Sequence, residues 1–152
     1  MSAYTPKYDG ETQTEFEKFM SDNGELENPQ LKKDFDAIIA AIKKIIDDCG
    51  ARENLFRPEG NNIKAIPLCI EQRRGKGVGT LRLYCIRISG KILIIGNGGI
   101  KRVKRYEDDP ILLDIVNKLR SIEHQIFIGT RKIHADYDDY QKVKMIIEAI
   151  TI

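Results

Sequence analysis

No stretch of this chain approaches the ~18 consecutive apolar residues that a membrane-spanning helix needs. The opening MSAYTPKYDG carries no apolar signal core, so no membrane partner is expected. Cysteine is scarce: Cys49, Cys69 and Cys85 are odd in number and lack C-x-x-C spacing. That excludes a disulfide framework and a thiolate metal site, and the three read as small buried residues in a reducing compartment. The expected location is the cytoplasm. Of the two histidines, His124 is expected to end a helix, where its charge suits the C-terminal dipole, and His134 to lie on the surface. No nucleophilic serine or cysteine constellation, internal repeat or low-complexity linker is visible. Neither a metal nor a cofactor is expected.

What is present is an ordinary globular composition, 41% hydrophobic and 32% charged over 152 residues, enough for one domain with a real core. The net charge of +2 conceals a division along the chain. Residues 1–59 hold 8 Lys/Arg against 13 Asp/Glu, residues 60–106 hold 11 against 1, and residues 107–152 hold 6 against 9. The positive charge is confined to the middle third, which points to an anionic partner for that segment. The acidic flanks argue against indiscriminate coating of nucleic acid.

Two helices are expected first. Thr12-Gln-Thr-Glu15 has capping-box spacing, with Phe16, Phe19 and Met20 on one face and Asp22-Asn23-Gly24 as the stop. Asn28 caps a second helix with Pro29 in its first turn, and Gly50 ends it. Leu31, Phe35, Ile38, Ile39, Ile42, Ile45 and Ile46 form its apolar stripe. A helical hairpin of this kind packs on something flat. Ile63–Ile70 reads as a strand with Pro67 marking an edge or bulge. Gln72–Gly79 reads as a basic glycine-rich loop, and Thr80–Ser89 with Lys91–Ile95 as a β-hairpin. Alternation puts Arg82, Tyr84, Ile86 and Ile88 on one face and Leu81, Leu83 and Cys85 on the other, where the helices sit. Asp109-Pro110 opens a third helix carrying Leu112, Ile115, Val116, Leu119 and Ile122. Gln125–Gly129 suits a short strand, and Asp136 or Asp138 would cap a last helix buried through Val143, Ile146, Ile147 and Ile150. The fold class is α+β, a helical hairpin packed on one face of an antiparallel sheet.

The chemistry concentrates after the hairpin, in Lys101, Arg102, Lys104, Arg105 and Tyr106, with Arg82 on the neighbouring strand and Arg73, Arg74 and Lys76 on the loop before it. Guanidinium groups bind phosphate through forked charge-assisted hydrogen bonds, and lysine supplies a compact charge. A cluster of this sort stabilises the extra charge of a phosphoryl transition state, and a nearby tyrosine or lysine serves proton transfer or base stacking. The same run also suits a solvated strand exit balancing the acidic helices. Arg82, inside an apolar strand, could instead pair with Glu53 or Glu71. Gly96-Asn97-Gly98-Gly99 lacks the terminal lysine-serine/threonine of a nucleotide loop and reads as a tight strand exit. The aspartates at 108–109 and 136–139 read as helix-start residues.

Leu81-Arg82-Leu83-Tyr84, the short hairpin, Leu93-Ile94-Ile95 and Gly98-Gly99-Ile100-Lys101-Arg102 together resemble the core of the RelE/HigB toxin superfamily. Its members carry an arginine and an aromatic on the third strand, then a glycine-apolar-lysine-lysine type sequence after the fourth. Cys49–Arg57 resembles the stretch closing their helical hairpin. The resemblance covers Lys7 to Ile122 in order of elements and is specific over Arg82–Tyr106. It implies a RelE-like core at about residues 7–122, with 123–152 as a C-terminal extension holding an extra helix. It implies a metal-independent mRNA interferase of a type II toxin–antitoxin pair. Such an enzyme cuts message in the ribosomal A site through the RNA's own 2′-hydroxyl and is covered by a cognate antitoxin. On that basis Arg82, Lys101, Arg102, Lys104 and Tyr106 are the expected catalytic residues, and Arg73, Arg74, Lys76, Tyr84 and Arg105 the RNA-binding ones. Against the pattern stand the longer chain, its near-neutral charge and the absence of a histidine from the site. These departures suit a catalytically inactive RelE-like RNA- or protein-binding module, or a structural protein whose basic stripe has no ligand.

Overall fold

The computed structural model describes residues 1–67 and 77–150. Its elements are β1 (Ser2–Tyr4), α1 (Glu15–Asn23), α2 (Pro29–Lys44), β2 (Arg57–Gly60), β3 (Ile63–Ile66), β4 (Thr80–Ser89), β5 (Ile92–Lys101), α3 (Pro110–Lys132) and α4 (Tyr140–Glu148). The five strands form one mixed sheet in the order β1-β5-β4-β3-β2; β1 runs parallel to β5 and the other neighbours are antiparallel. The architecture is α+β, with helices on both faces; the sheet is mixed where an antiparallel one was expected, because the three-residue β1, too short to show a period, adds in parallel to the edge of β5. Arg73, Arg74, Lys76 and Cys69 lie outside the described residues.

The first face carries the helical hairpin. Phe19, Ile38, Ile42 and Ile45 pack on Leu81, Leu83, Cys85, Leu93 and Ile95, the face that alternation assigns to it. Burial pushes the Cys85 thiol up to about 12, as suits an inert core sulfur. The capping box of α1 is formed by Thr14 and Glu17, two residues later than expected. The Thr-x-x-Glu spacing occurs twice in this segment. Glu15 is committed instead to Lys18, 3.0 Å away, and the later start turns Phe19 inward. Asn28 caps α2 as expected, accepting from the amides of Gln30 and Leu31 at 2.9 and 3.2 Å. Beyond Lys44 the helix widens into a π-turn over Ile45–Cys49 that closes on Gly50 at φ 71°. The wider turn rotates Ile46 into solvent, off the stripe on which spacing places it.

The opposite face is covered by α3. Its Leu112, Ile115, Val116, Leu119, Ile122 and Ile126 pack on Ile63, Ala65, Tyr84, Ile86, Ile92 and Ile94. The helix runs unbroken for 23 residues, straight through the strand expected at Gln125–Gly129. Ile122, Ile126 and Thr130 continue its buried stripe at i,i+4, while Phe127 and Ile128, which suggested a strand, are exposed. His124 therefore lies inside the helix, not at its end. In α4 the N-cap position belongs to Asp139, without a side-chain cap bond; Asp136 accepts from the amide of Asp138 in the preceding turn. This helix packs toward β1, where Ser2 Oγ and Tyr140 OH share a hydrogen bond and Tyr4 OH donates to Glu148 Oε1 at 3.0 Å.

Four strands depart from expectation. β1 and β2 have three and four residues, too short to show a period. β3 ends at Ile66, before Pro67, and lies between β2 and β4, so Pro67 terminates an interior strand and marks no edge. β5 continues to Lys101, and its glycine run is strand, not strand exit. The pairing slips between Leu83↔Gly98 and Cys85↔Ile95, opposite Tyr84, and the backbones close up there. A Cβ on Gly96 would meet Leu119 Cδ1 at 2.9 Å, and one on Gly98 would collide with the Arg82 carbonyl.

Candidate nucleic-acid interface

The sheet end that β4 and β5 share under the start of α3 collects the charge. Arg82 and Tyr84 alternate onto this face. Arg82 pairs with Gly99 and Thr80 with Lys101, so Lys101 shares it. One row across, Tyr84 pairs with Ala65 and Ala65 with Arg57, which brings Arg57 alongside. Glu59 follows two residues on, and its carboxylate lies 3.7 Å from Arg57 Nε. Gly99 stands opposite Arg82, and a Cβ there would press on Leu112 Cδ2 at 3.3 Å.

Arg82 is almost wholly buried, 2% exposed. Its Nη1 donates to the carbonyl of Pro67 at 2.7 Å, and its Nε is buried without a hydrogen-bond partner. Burial lowers its pKa from the ordinary arginine value and the charge of Arg57 lowers it further. Lys101 is half-buried; burial lowers its ammonium, Glu59 opposes this, and Arg82 and Arg57 add to it. Among the described residues, these three cations sense one another, with Glu59 the carboxylate that acts on both Arg82 and Lys101, and with Asp34 and Glu107 each adding to one of them. Such a group favours an anion, because like charges pressed together in a poorly solvated place are relieved by one. The open approach is by Arg57, whose side chain is 46% exposed, and by Lys101.

The remaining expected residues divide. Tyr84 is buried edge-to-face against Tyr106, 6.0 Å between ring centroids, and burial raises its hydroxyl well above the usual tyrosine value, with Glu59 adding to the shift. Tyr106 is buried as well. Its hydroxyl accepts from Arg120 Nη2 at 2.5 Å, and its pKa is raised by burial against the opposing charge of Arg120. Arg102 is exposed and donates from Nε to the carbonyl of Gly77 at 2.8 Å. Lys104 is exposed past the end of β5, and Arg105 turns to Glu107 at 3.4 Å. The alternative partner for Arg82, Glu53, lies instead 4.0 Å from Lys64; Glu71 is outside the described residues. Asp139 pairs with Lys142 at 3.4 Å and not with the basic group.

Sequence reasoning missed Arg57, Glu59 and Arg120. The signal for the first two was the i,i+2 spacing of Arg57-Pro-Glu59 at the boundary of the basic segment, hidden by a strand only four residues long. Arg120 lies on α3, off the apolar stripe by which that helix is recognised in the sequence. Among the described residues, no group of three or more His, Cys, Asp or Glu side chains could hold a metal ion, and no helix is long and apolar enough to cross a membrane. No protein-family model matches the chain, and neither curated proteins nor solved structures give a match.

Proposed function

We propose that this chain is a RelE/HigB-like endoribonuclease, the toxin of a type II toxin–antitoxin pair, which cuts message in the ribosomal decoding site. The observation that carries the reading is that Arg57, Arg82 and Lys101 sense one another's charge at one end of the sheet, with the carboxylate of Glu59 3.7 Å from Arg57. The helical hairpin on one face, the arginine and aromatic on β4 and the glycine-apolar-lysine-arginine ending of β5 supply the resemblance.

In the reaction so read, Glu59 removes the proton of the RNA 2′-hydroxyl, and that oxygen attacks the adjacent phosphorus. The phosphorane charge is met by Arg57 and Lys101 at the surface and by Arg82 behind them. The P–O5′ bond breaks and the leaving oxygen takes a proton from the Lys101 ammonium, which burial has made a better acid. The products are a 2′,3′-cyclic phosphate and a 5′-hydroxyl. Tyr106, buried and hydrogen-bonded to Arg120, forms part of the wall of the site and transfers no proton in this scheme.

Inducible expression in a bacterial host tests the proposal. Growth arrest with cut messages is expected for the wild type, and relief by Glu59→Gln at matched soluble expression; growth unaffected by the wild type contradicts it. A second reading, an RNA- or protein-binding module without cleavage, draws on the burial of Arg82 and Tyr106 beneath α3. It gains if the chain binds RNA and leaves translated message intact.

A further inference from the structure

Arg120, which donates to Tyr106, also lines a cleft of about 790 Å³ between the β2–β3 turn, the C-terminal half of α3 and the segment before α4. Its lining combines the carboxylates of Glu123 and Asp136, the rings of Phe127 and Tyr137, Asn62 and the guanidinium of Arg120. Phe127 is 45% exposed, which is unusual for a phenylalanine in a helix that packs well elsewhere. Glu123 Oε2 is buried without a hydrogen-bond partner, an arrangement that is costly until a donor arrives. Burial also raises the Glu123 carboxyl above its ordinary value, partly offset by the backbone amide of Asn62 and by Arg120.

The cleft is joined to the basic group. Arg120 lines it and donates to Tyr106, and its Nη2 lies 3.3 Å from where a Cβ on Gly60, the neighbour of Glu59, would stand. A strand of RNA whose phosphate rests at Arg57 and Lys101 therefore has a cleft beside it that is lined by two aromatic residues, Tyr137 and Phe127 (the latter with the Arg131 guanidinium 5.4 Å over its ring), and by a carboxylate for pairing. We infer that this cleft receives one nucleobase of the bound RNA, and that the base is guanine. Guanine alone presents two adjacent N–H donors, N1–H and N2–H, on one edge, the pattern a single carboxylate accepts. A flat ring stacks on Phe127 or Tyr137 as bases do on aromatic side chains. Arg120 stands at the cleft wall to donate to O6. The inference rests on the proposed RNA reading for its occupant.

Binding of labelled single-stranded oligonucleotides to the full chain decides it. The probes are an all-uridine heptamer and the same heptamer with one central guanosine, adenosine or inosine. The expected result is about tenfold tighter binding of the guanosine probe, the discrimination typical of a bidentate pair. Inosine, which lacks the N2 amine, falls between. Glu123→Gln removes most of the preference, and Phe127→Ala weakens every purine probe. Equal affinity for the four probes, or a preference untouched by Glu123→Gln, overturns the inference and leaves the phosphate reading standing. A thermal-shift arm with guanosine and adenosine separates the sources. Protection by guanosine without binding of any oligonucleotide retains the cleft as a free-nucleoside site and sinks the RNA reading. No response in either arm overturns both.

Discussion

The carbonyl oxygen of Arg82 occupies the space that a side chain on Gly98 would fill. The residue at the centre of the basic group is thus held in place by a glycine on the next strand, at the register slip where β4 and β5 close together. Gly98→Ala must push the strands apart. Unfolding in urea should show a loss of about 1–3 kcal/mol, the range for overpacking a tight site. Gly90→Ala, whose Cβ would meet only the Arg87 guanidinium at 4.0 Å, should stay within about 0.5 kcal/mol of the wild type. Equal stability of the two variants would mean that the close approach is not needed.

Asp34 is the second internal support. This buried carboxylate on α2 accepts from the backbone amide of Leu81 at 2.9 Å, tying the hairpin to the residue before Arg82. Asp34→Ala leaves that amide without its acceptor and should cost about 1–3 kcal/mol. Asp36→Ala, on the exposed side of the same helix, should cost much less. Parallel urea titrations of the two variants check the difference.

The phosphate contacts should declare themselves in salt. If Arg57 and Lys101 each neutralise a phosphate, replacing either with alanine should weaken binding to single-stranded RNA irrespective of sequence. Each replacement should also reduce the slope of log affinity against log salt by about 0.7, the value per phosphate for single strands. Lys104→Ala, exposed beyond the end of β5, should leave the slope close to that of the wild type. Slopes unchanged in the Arg57 and Lys101 variants would remove the phosphate site from this end of the sheet.

Glu123 makes a prediction about pH. Its carboxyl is raised in the folded chain, so between its ordinary value and its folded value the native state holds more proton than the unfolded state. Stability contributed by this group is therefore fully present below the ordinary carboxyl pKa of 4.5 and is lost as pH rises through the folded value. Glu123→Gln should raise the melting temperature at neutral pH and confer little gain at pH 4. A variant less stable than the wild type at neutral pH would show that the carboxylate is satisfied in a way its unpartnered Oε2 does not suggest.

How much of this could be read from the chain follows from where the periodic signal is strong. The stripes of α2 and the alternation of Leu81 to Ile88 were legible because each spans several periods against a continuous core. Asn28-Pro29 and Asp109-Pro110 announced two helix starts without ambiguity, whereas Thr12 and Thr14 offered the same spacing and only the burial of Phe19 separates them. The short edge strands carried no period. The glycines of β5 looked like a loop because their small size, which serves close backbone approach, is also what turns use. Within the basic group, Arg82 and Lys101 stand out in the sequence because they are charges in or beside apolar strands. Glu59 does not, since its meaning comes from pairing across β3, two strands from Arg82. Tyr106 was expected at the reacting group and is instead buried against Tyr84 and Arg120, a contact made by a residue fourteen positions later.

The most direct test of the central claim is to incubate the purified chain with translating ribosomes and a defined message, and to map the ends of the fragments. Attack by the RNA's own 2′-hydroxyl predicts cuts within codons in the decoding site that carry 2′,3′-cyclic phosphate and 5′-hydroxyl ends. Glu59→Gln should slow the cut by a factor of about 10²–10⁴, the usual contribution of a general base, while binding is retained. Intact message, or cleavage unaffected by Glu59→Gln, contradicts the assignment of this group as a ribonuclease site.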